Sequence, residues 1–172
     1  MKKIVSYMMT GILMLSFLLT GCGSPEPQTG KKMSMYYINT AETKVEVHEQ
    51  YLNTKTLDEQ LDETMRYLST TPEKLEYKAP LDMGFRVLDY EVEDGKLLIN
   101  VDKAYSELSP TTEVLVRAAI VRTLTQLPNV KYVGITVEDS QLYDNAGEMV
   151  GWMNADQFIN NDGNEINTYE LV

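Results

Sequence analysis

The sequence holds one cysteine, one histidine and one tryptophan in 172 residues, and it is short of positive charge: 15 lysines and arginines stand against 26 aspartates and glutamates, a net charge of −11. A single cysteine can form no intramolecular disulfide, so stability has to come from packing. The single histidine, His48, has no second imidazole to share a zinc ion with, and a hydrolytic triad would have to be built around it alone. It falls on the polar side of an alternating segment, where a solvent-facing histidine is expected. The acidic balance argues against nucleic-acid partners and against electrostatic adhesion to anionic lipid. No apolar run reaches the roughly 20 residues of a membrane-spanning helix.

The longest uncharged apolar run, Ile4 to Leu19, follows Lys2 and Lys3. A positive start and a hydrophobic stretch of that length form a secretory signal. The run ends in Leu19-Thr20-Gly21-Cys22, which resembles the bacterial lipobox, so residues 1–21 are expected to be a cleaved signal and Cys22 the lipidated new N-terminus. Lipidation would explain a lone cysteine in an exported chain. At about 0.8 kcal/mol per buried CH₂, two acyl chains hold a protein at the membrane without help from the folded domain. Residues 22–32 are rich in Pro, Gly and polar side chains and read as a tether. Loss of the two signal lysines takes the net charge from −11 to −13, on a chain long enough for one domain.

That domain is expected over 33–158, before a polar C-terminal tail at 159–172. Met33 to Asn39 and Lys44 to Tyr51 read as strands, the second with Val45, Val47 and Tyr51 inward and Lys44, Glu46, His48 and Gln50 outward. Thr56-Leu57-Asp58-Glu59 has the form of a capping box, and Leu57, Leu61, Met65 and Leu68 recur at helical spacing, which predicts a helix over 57–68. Phe85 to Val92 and Lys96 to Val101 are strands joined by Asp94-Gly95, a tight hairpin turn. Ser109-Pro110 starts a helix predicted to run from Thr111 to Leu127, apolar around most of its circumference and therefore buried. Strands are expected at Val130 to Glu138 and Glu148 to Met153. The sum is an α+β fold in two layers, a mostly antiparallel or mixed sheet with two helices packed on one face.

The segments LLINVDKAY, TTEVLVRAAIVRTLTQLPNVKYVGITVED and GEMVGWM resemble the GerM-type (GerMN) domain of sporulation and germination proteins. The features that carry the resemblance are Val101-Asp102 at a hairpin end, the Thr-Leu-x-Gln-hydrophobic-Pro ending of the second helix (Val121 to Pro128), the strand from Val130 to Val137, and a late glycine. The resemblance implies a fold similar to the ring-building motifs of secretion-type assemblies, no known enzymatic activity and a role at the cell envelope. The founding members carry two such domains in tandem; this chain has room for one.

No catalytic residue, metal ligand or cofactor site is assigned from the sequence. Glu91, Glu93, Asp94, Glu138, Asp139, Asp144 and Glu148 fall at strand ends or turns, where solvated charge is expected. Aligning Gly163 with the glycine of a calcium-binding loop places Phe158 and Tyr169 where acidic ligands belong. Tyrosines such as Tyr36, Tyr90 and Tyr132 are strand formers. The leading expectation is a non-enzymatic envelope module, held to the membrane through Cys22, that binds a protein partner or copies of itself. A binder of cell-wall glycan or a small ligand, with a cleft lined by Tyr and Trp152, is the first alternative. An envelope hydrolase is the second, for which a buried carboxylate pair with raised pKa values would speak.

Overall fold

The computed structural model describes residues 30–71, 76–144 and 146–158. The expected signal, Cys22, most of the tether and the 159–172 tail lie outside the described residues.

Strands β1 (Lys31–Asn39) and β2 (Val45–Leu52) form an antiparallel hairpin, and helix α1 (Leu57–Leu68) follows with the expected bounds. Its capping box is closed: Thr56 Oγ1 accepts from Glu59 N at 3.3 Å, and Glu59 Oε2 accepts from Thr56 N at 3.2 Å. Buried Glu63 fixes the approach to the helix, accepting from Asn53 N, Thr54 N and Thr54 Oγ1. The two-residue β3 (Tyr77–Lys78) pairs with the end of β1, completing a first sheet of order β2-β1-β3.

The second sheet has the order β4-β5-β6-β7, with β4 (Val87–Glu93), β5 (Lys96–Val101), β6 (Tyr132–Val137) and β7 (Ser140–Gln141). Asp94 and Gly95 turn the β4–β5 hairpin with φ of 50° and 79°, as the Asp-Gly pair predicts. Strands β5 and β6 run parallel, so the chain crosses over between them through helix α2 (Pro110–Leu124). The strands therefore divide between two sheets, and one βαβ unit stands among the hairpins.

Helix α2 starts as expected, Ser109 Oγ accepting from Thr112 N with Pro110 in the first turn, but ends at Leu124 rather than Leu127. Pro128 lacks a donor and crowds the residue before it, so the chain leaves the helix as a series of turns. From Leu115 to Val121 every residue of α2 is buried. The helix packs against α1, β1, β2 and β6, and its Val116, Ile120 and Leu124 share one continuous core with Met35 and Tyr37 of β1, Leu68 of α1, and Leu97 and Ile99 of β5.

Two expectations are corrected. The final strand over 148–153 reduces to isolated bridges, Tyr143 with Met149 and Val133 with Met153. On β2 Val45 packs against the core as expected, but the predicted faces are reversed over Glu46 to His48. The register sets His48 opposite Met35 and Glu46 opposite Tyr37, both fully buried, so His48 is half-buried on the core side, whereas Val47 is 50% exposed. Residues opposite each other share a face, and β1, the more apolar strand, decides which face turns inward.

Candidate functional site

The polar residues of the helix-end motif face inward and do structural work. Beyond its short pairing with β3, β1 leaves backbone groups from Ser34 to Tyr36 without a neighbouring strand, and the end of α2 supplies side chains in its place. Ser34 N donates to Gln126 Oε1 at 3.0 Å, Gln126 Nε2 donates to Ser34 O at 2.7 Å, and Tyr36 N donates to Thr123 Oγ1 at 3.0 Å. The Gln126 amide thus pairs with β1 as a strand residue would. Arg122 lies 4.1 Å over the ring of Tyr36 and closes the same seam.

Asp102, the acid of the Val101-Asp102 pair, accepts from Arg86 N at 3.1 Å and from Arg86 Nε at 3.0 Å, joining the start of β4 to the end of β5. The Arg86 guanidinium holds its carboxyl below the usual range. Glu113, Arg117 and Tyr105 form a buried polar cluster: Arg117 Nη2 donates to Glu113 Oε2 at 2.9 Å, and the Tyr105 hydroxyl donates to Glu113 Oε1 at 2.9 Å. Burial pushes the Tyr105 phenol well above its ordinary value, and at 1% exposure no substrate reaches it. Glu42, at the tip of the β1–β2 hairpin, accepts from Lys78 and from Thr112 Oγ1, contacts that hold its carboxyl low. Every carboxylate with a resolved shift among the described residues is shifted down, Glu59 through its capping contacts with Thr56 included. Among those residues no three His, Cys, Asp or Glu side chains are grouped to hold a metal ion, and no helix is long and apolar enough to cross a membrane.

Among the described residues, one surface that carries exposed apolar groups is the outer face of the second sheet, where Tyr132 and Trp152 are 40% and 43% exposed. The β5–β6 register sets Lys96 beside Tyr132, Leu98 beside Gly134 and Asn100 beside Thr136. The bridge between Val133 and Met153, two hydrogen bonds of 2.8 Å, brings the last described segment along β6 and lays Trp152 over Gly134. A Cβ at residue 134 would lie 2.8 Å from the indole, so only glycine admits the ring there. Trp152 stays 43% exposed, with the Lys96 ammonium 5.3 Å from its ring centroid. Beside it is a shallow depression of about 80 Å³ lined by Leu98, Gly134, Thr136, Gln141 and Val150.

Asn100 closes one end of this face. It is 4% exposed, its Nδ2 donates to Asp139 Oδ1 at 2.7 Å and Asp89 Oδ2 at 3.1 Å, and its Oδ1 accepts from Asp139 N at 3.0 Å and Thr136 Oγ1 at 3.4 Å. All four of its hydrogen-bonding positions are thereby used. The network holds the β6–β7 turn, where Glu138 and Asp139 both have positive φ, 48° and 63°.

The carboxylates singled out in the sequence are thus distributed. Glu91 and Glu93 are exposed on β4, Asp94 turns the β4–β5 hairpin, Glu138 and Asp139 turn β6 into β7, and Asp144 and Glu148 flank the tip of the 143–149 hairpin. Only Asp139 joins a side-chain network, through Asn100. Asn100 itself carried no signal in the sequence, because an asparagine on the outward side of a strand reads as a solvated residue.

The family model for sporulation and spore germination, Germane, matches residues 34–143. The chain belongs to the Germane family. Its fold is similar to the tandem GerMN domains of the sporulation protein GerM from Bacillus subtilis, with a TM-score of 0.52 and 18% identity over 78% of this chain and 49% of that one. The first GerMN domain of the same protein superposes with a TM-score of 0.54 and 14% identity over 70% of this chain and 94% of the domain. The chain therefore spans about half the length of the tandem protein and one of its two domains. No curated protein sequence matches the chain. Within the family fold, the Thr-Leu-x-Gln motif of this chain is the device that closes the open edge of β1.

Proposed function

We propose that this Germane-family protein is a non-enzymatic adaptor of the cell envelope, anchored through lipid on Cys22 outside the cytoplasm and working by binding a protein partner or copies of itself. The observation that carries the reading is where the chemistry-bearing groups go. Glu42, Glu63, Asp102, Glu113, Arg117 and Gln126 are engaged in holding the fold together, while large apolar side chains stand exposed: Tyr132, Tyr143, Met149 and Trp152 at 40–60%. Exposed aromatic and Met side chains are the residue types enriched in protein interfaces. The family description names a process and no reaction. The lipobox supports the anchor.

Two measurements test the reading. Labelled fatty acid should be incorporated by the wild type and lost with Cys22→Ser; no incorporation by the wild type removes the anchor. In a deletion strain, His48→Ala, Glu138→Ala and Asp144→Ala should each complement. A folded, correctly localised variant among them that fails outright, with partner capture unchanged, would point to catalysis instead.

A further inference from the structure

On the outer face of the second sheet, we infer a docking site for a basic segment of a protein partner, one that seats an aliphatic side chain beside Trp152 and pairs its lysines or arginines with β4. The inference rests on the adaptor reading and narrows it to one surface and one partner chemistry. It starts from register. Residues opposite each other in an antiparallel pair share a face, and β4 sets Asp89 opposite Asn100, Glu91 opposite Leu98, and Glu93 opposite Lys96. Leu98 lines the depression on the outer face, so β4 turns a row of carboxylates toward that face, along one side of the apolar strip. The turn carrying Glu138 and Asp139 adds negative charge at one end, next to Asn100. The cation on the strip itself is Lys96, drawn over the Trp152 ring.

Size decides between a segment of protein and a free small ligand. Pockets that enclose small molecules run to about 300–1,000 Å³, and the depression here is about 80 Å³. That leaves room for a single side chain and none for a sugar ring with its substituents. Leu98, Gly134, Val150 and the Trp152 indole make up most of its lining, with Thr136 and Gln141 beside them, so the side chain that fits is mainly apolar. An apolar anchor in a small socket with a charged row alongside is a protein-interface pattern, and the sign of the row selects a cationic partner. The site is also rigid. The indole is fixed by the glycine beneath it and by the Val133–Met153 bridge, and the far end by the fully bonded Asn100.

The test is photo-crosslinking in cells with the full-length chain, the crosslinker placed at Glu93 on this face and, separately, at Val47 on the first sheet. The expected result is a crosslink from residue 93, mapping to a partner segment that carries lysine or arginine beside an aliphatic residue. Glu91→Lys should lower its yield at least tenfold and Glu91→Gln by less; Trp152→Ala should lower it as well, with expression and melting temperature unchanged for the exposed Glu91 variants. A crosslink from residue 47 alone, one that maps to a second copy of this chain, or one to an acidic segment overturns the site and leaves the adaptor reading standing. Sedimentation of the protein with purified cell-wall glycan, abolished by Trp152→Ala, overturns the site in favour of sugar. No crosslink from either face in a strain where the protein complements its deletion overturns both the site and the adaptor reading.

Discussion

At the scale of single residues, the chain spends its polar side chains on joints between distant segments. Gln126 meets Ser34 across 92 residues of sequence, and its amide serves as both donor and acceptor to one strand residue. Replacing it with Leu removes both partners of partly buried backbone groups, each worth about 1–3 kcal/mol when left unsatisfied. The urea midpoint of Gln126→Leu should fall accordingly, and further than that of Thr123→Val, which removes one such acceptor. An unchanged midpoint would mean that water replaces the amide. The sequence shows the Thr-Leu-x-Gln pattern without showing its use, because nothing local points from residue 126 to residue 34. His48 shows the same limit: alternation along β2 gives two faces but not which one turns inward, and that choice lies with the burial of Met35 and Tyr37 on the neighbouring strand.

At the scale of elements, legibility follows local chemistry. Helix α1 is found with its bounds because a capping box and a strict apolar spacing coincide there. The β4–β5 turn is found because Asp-Gly announces it. The β6–β7 turn is missed because Glu138-Asp139 adopts the same positive φ without a glycine, stabilised from outside by Asn100. Strands of two residues, β3 and β7, are too short to show a period. The all-round apolar pattern of α2 correctly marks it as the buried helix, and the cost of damaging it follows. Leu124→Ala or Ile120→Ala, at fully buried positions, should each lose about 2–5 kcal/mol in chemical denaturation. Val47→Ala, on the exposed face of β2, should stay within about 0.5 kcal/mol of wild type. A similar loss at all three positions would contradict the placement of α2 in the core.

At the scale of the whole molecule, the stability profile against pH is set by a few groups. Burial pushes the Tyr37 phenol up to about 12 and holds the Tyr105 phenol well above its ordinary value as well. A raised folded-state value means that the unfolded chain ionises first, so the stability these groups contribute is complete below about pH 10 and is lost as the pH rises through their folded values. The melting temperature should therefore drop steeply above about pH 10, and Tyr37→Phe should blunt part of that drop. On the acid side Glu42 is held low by Lys78 and Thr112, so its contribution is present above the ordinary carboxylate range and lost as the pH falls through its folded value. Glu42→Gln should lower the melting temperature at neutral pH and converge with wild type in acid. A constant offset at every pH would assign the effect to packing instead of charge. The α+β class and the family were legible from the sequence; the division into two sheets was not, because it depends on β5 and β6 pairing in parallel across α2.

The seam between β1 and the end of α2 also bears on the order of folding. A chain that emerges from its N-terminal end delivers β1 and β2 first, and the hairpin they form has a bare edge from Ser34 to Tyr36 until residues 123–126 have followed and the helix has formed behind them. For the length of chain in between, a nascent molecule presents an unpaired strand to any neighbour, the condition under which sheets recruit one another. Helix completion therefore acts as the molecule's own chaperone step, and a variant that delays it, such as a glycine within α2, should aggregate during expression out of proportion to its loss of equilibrium stability.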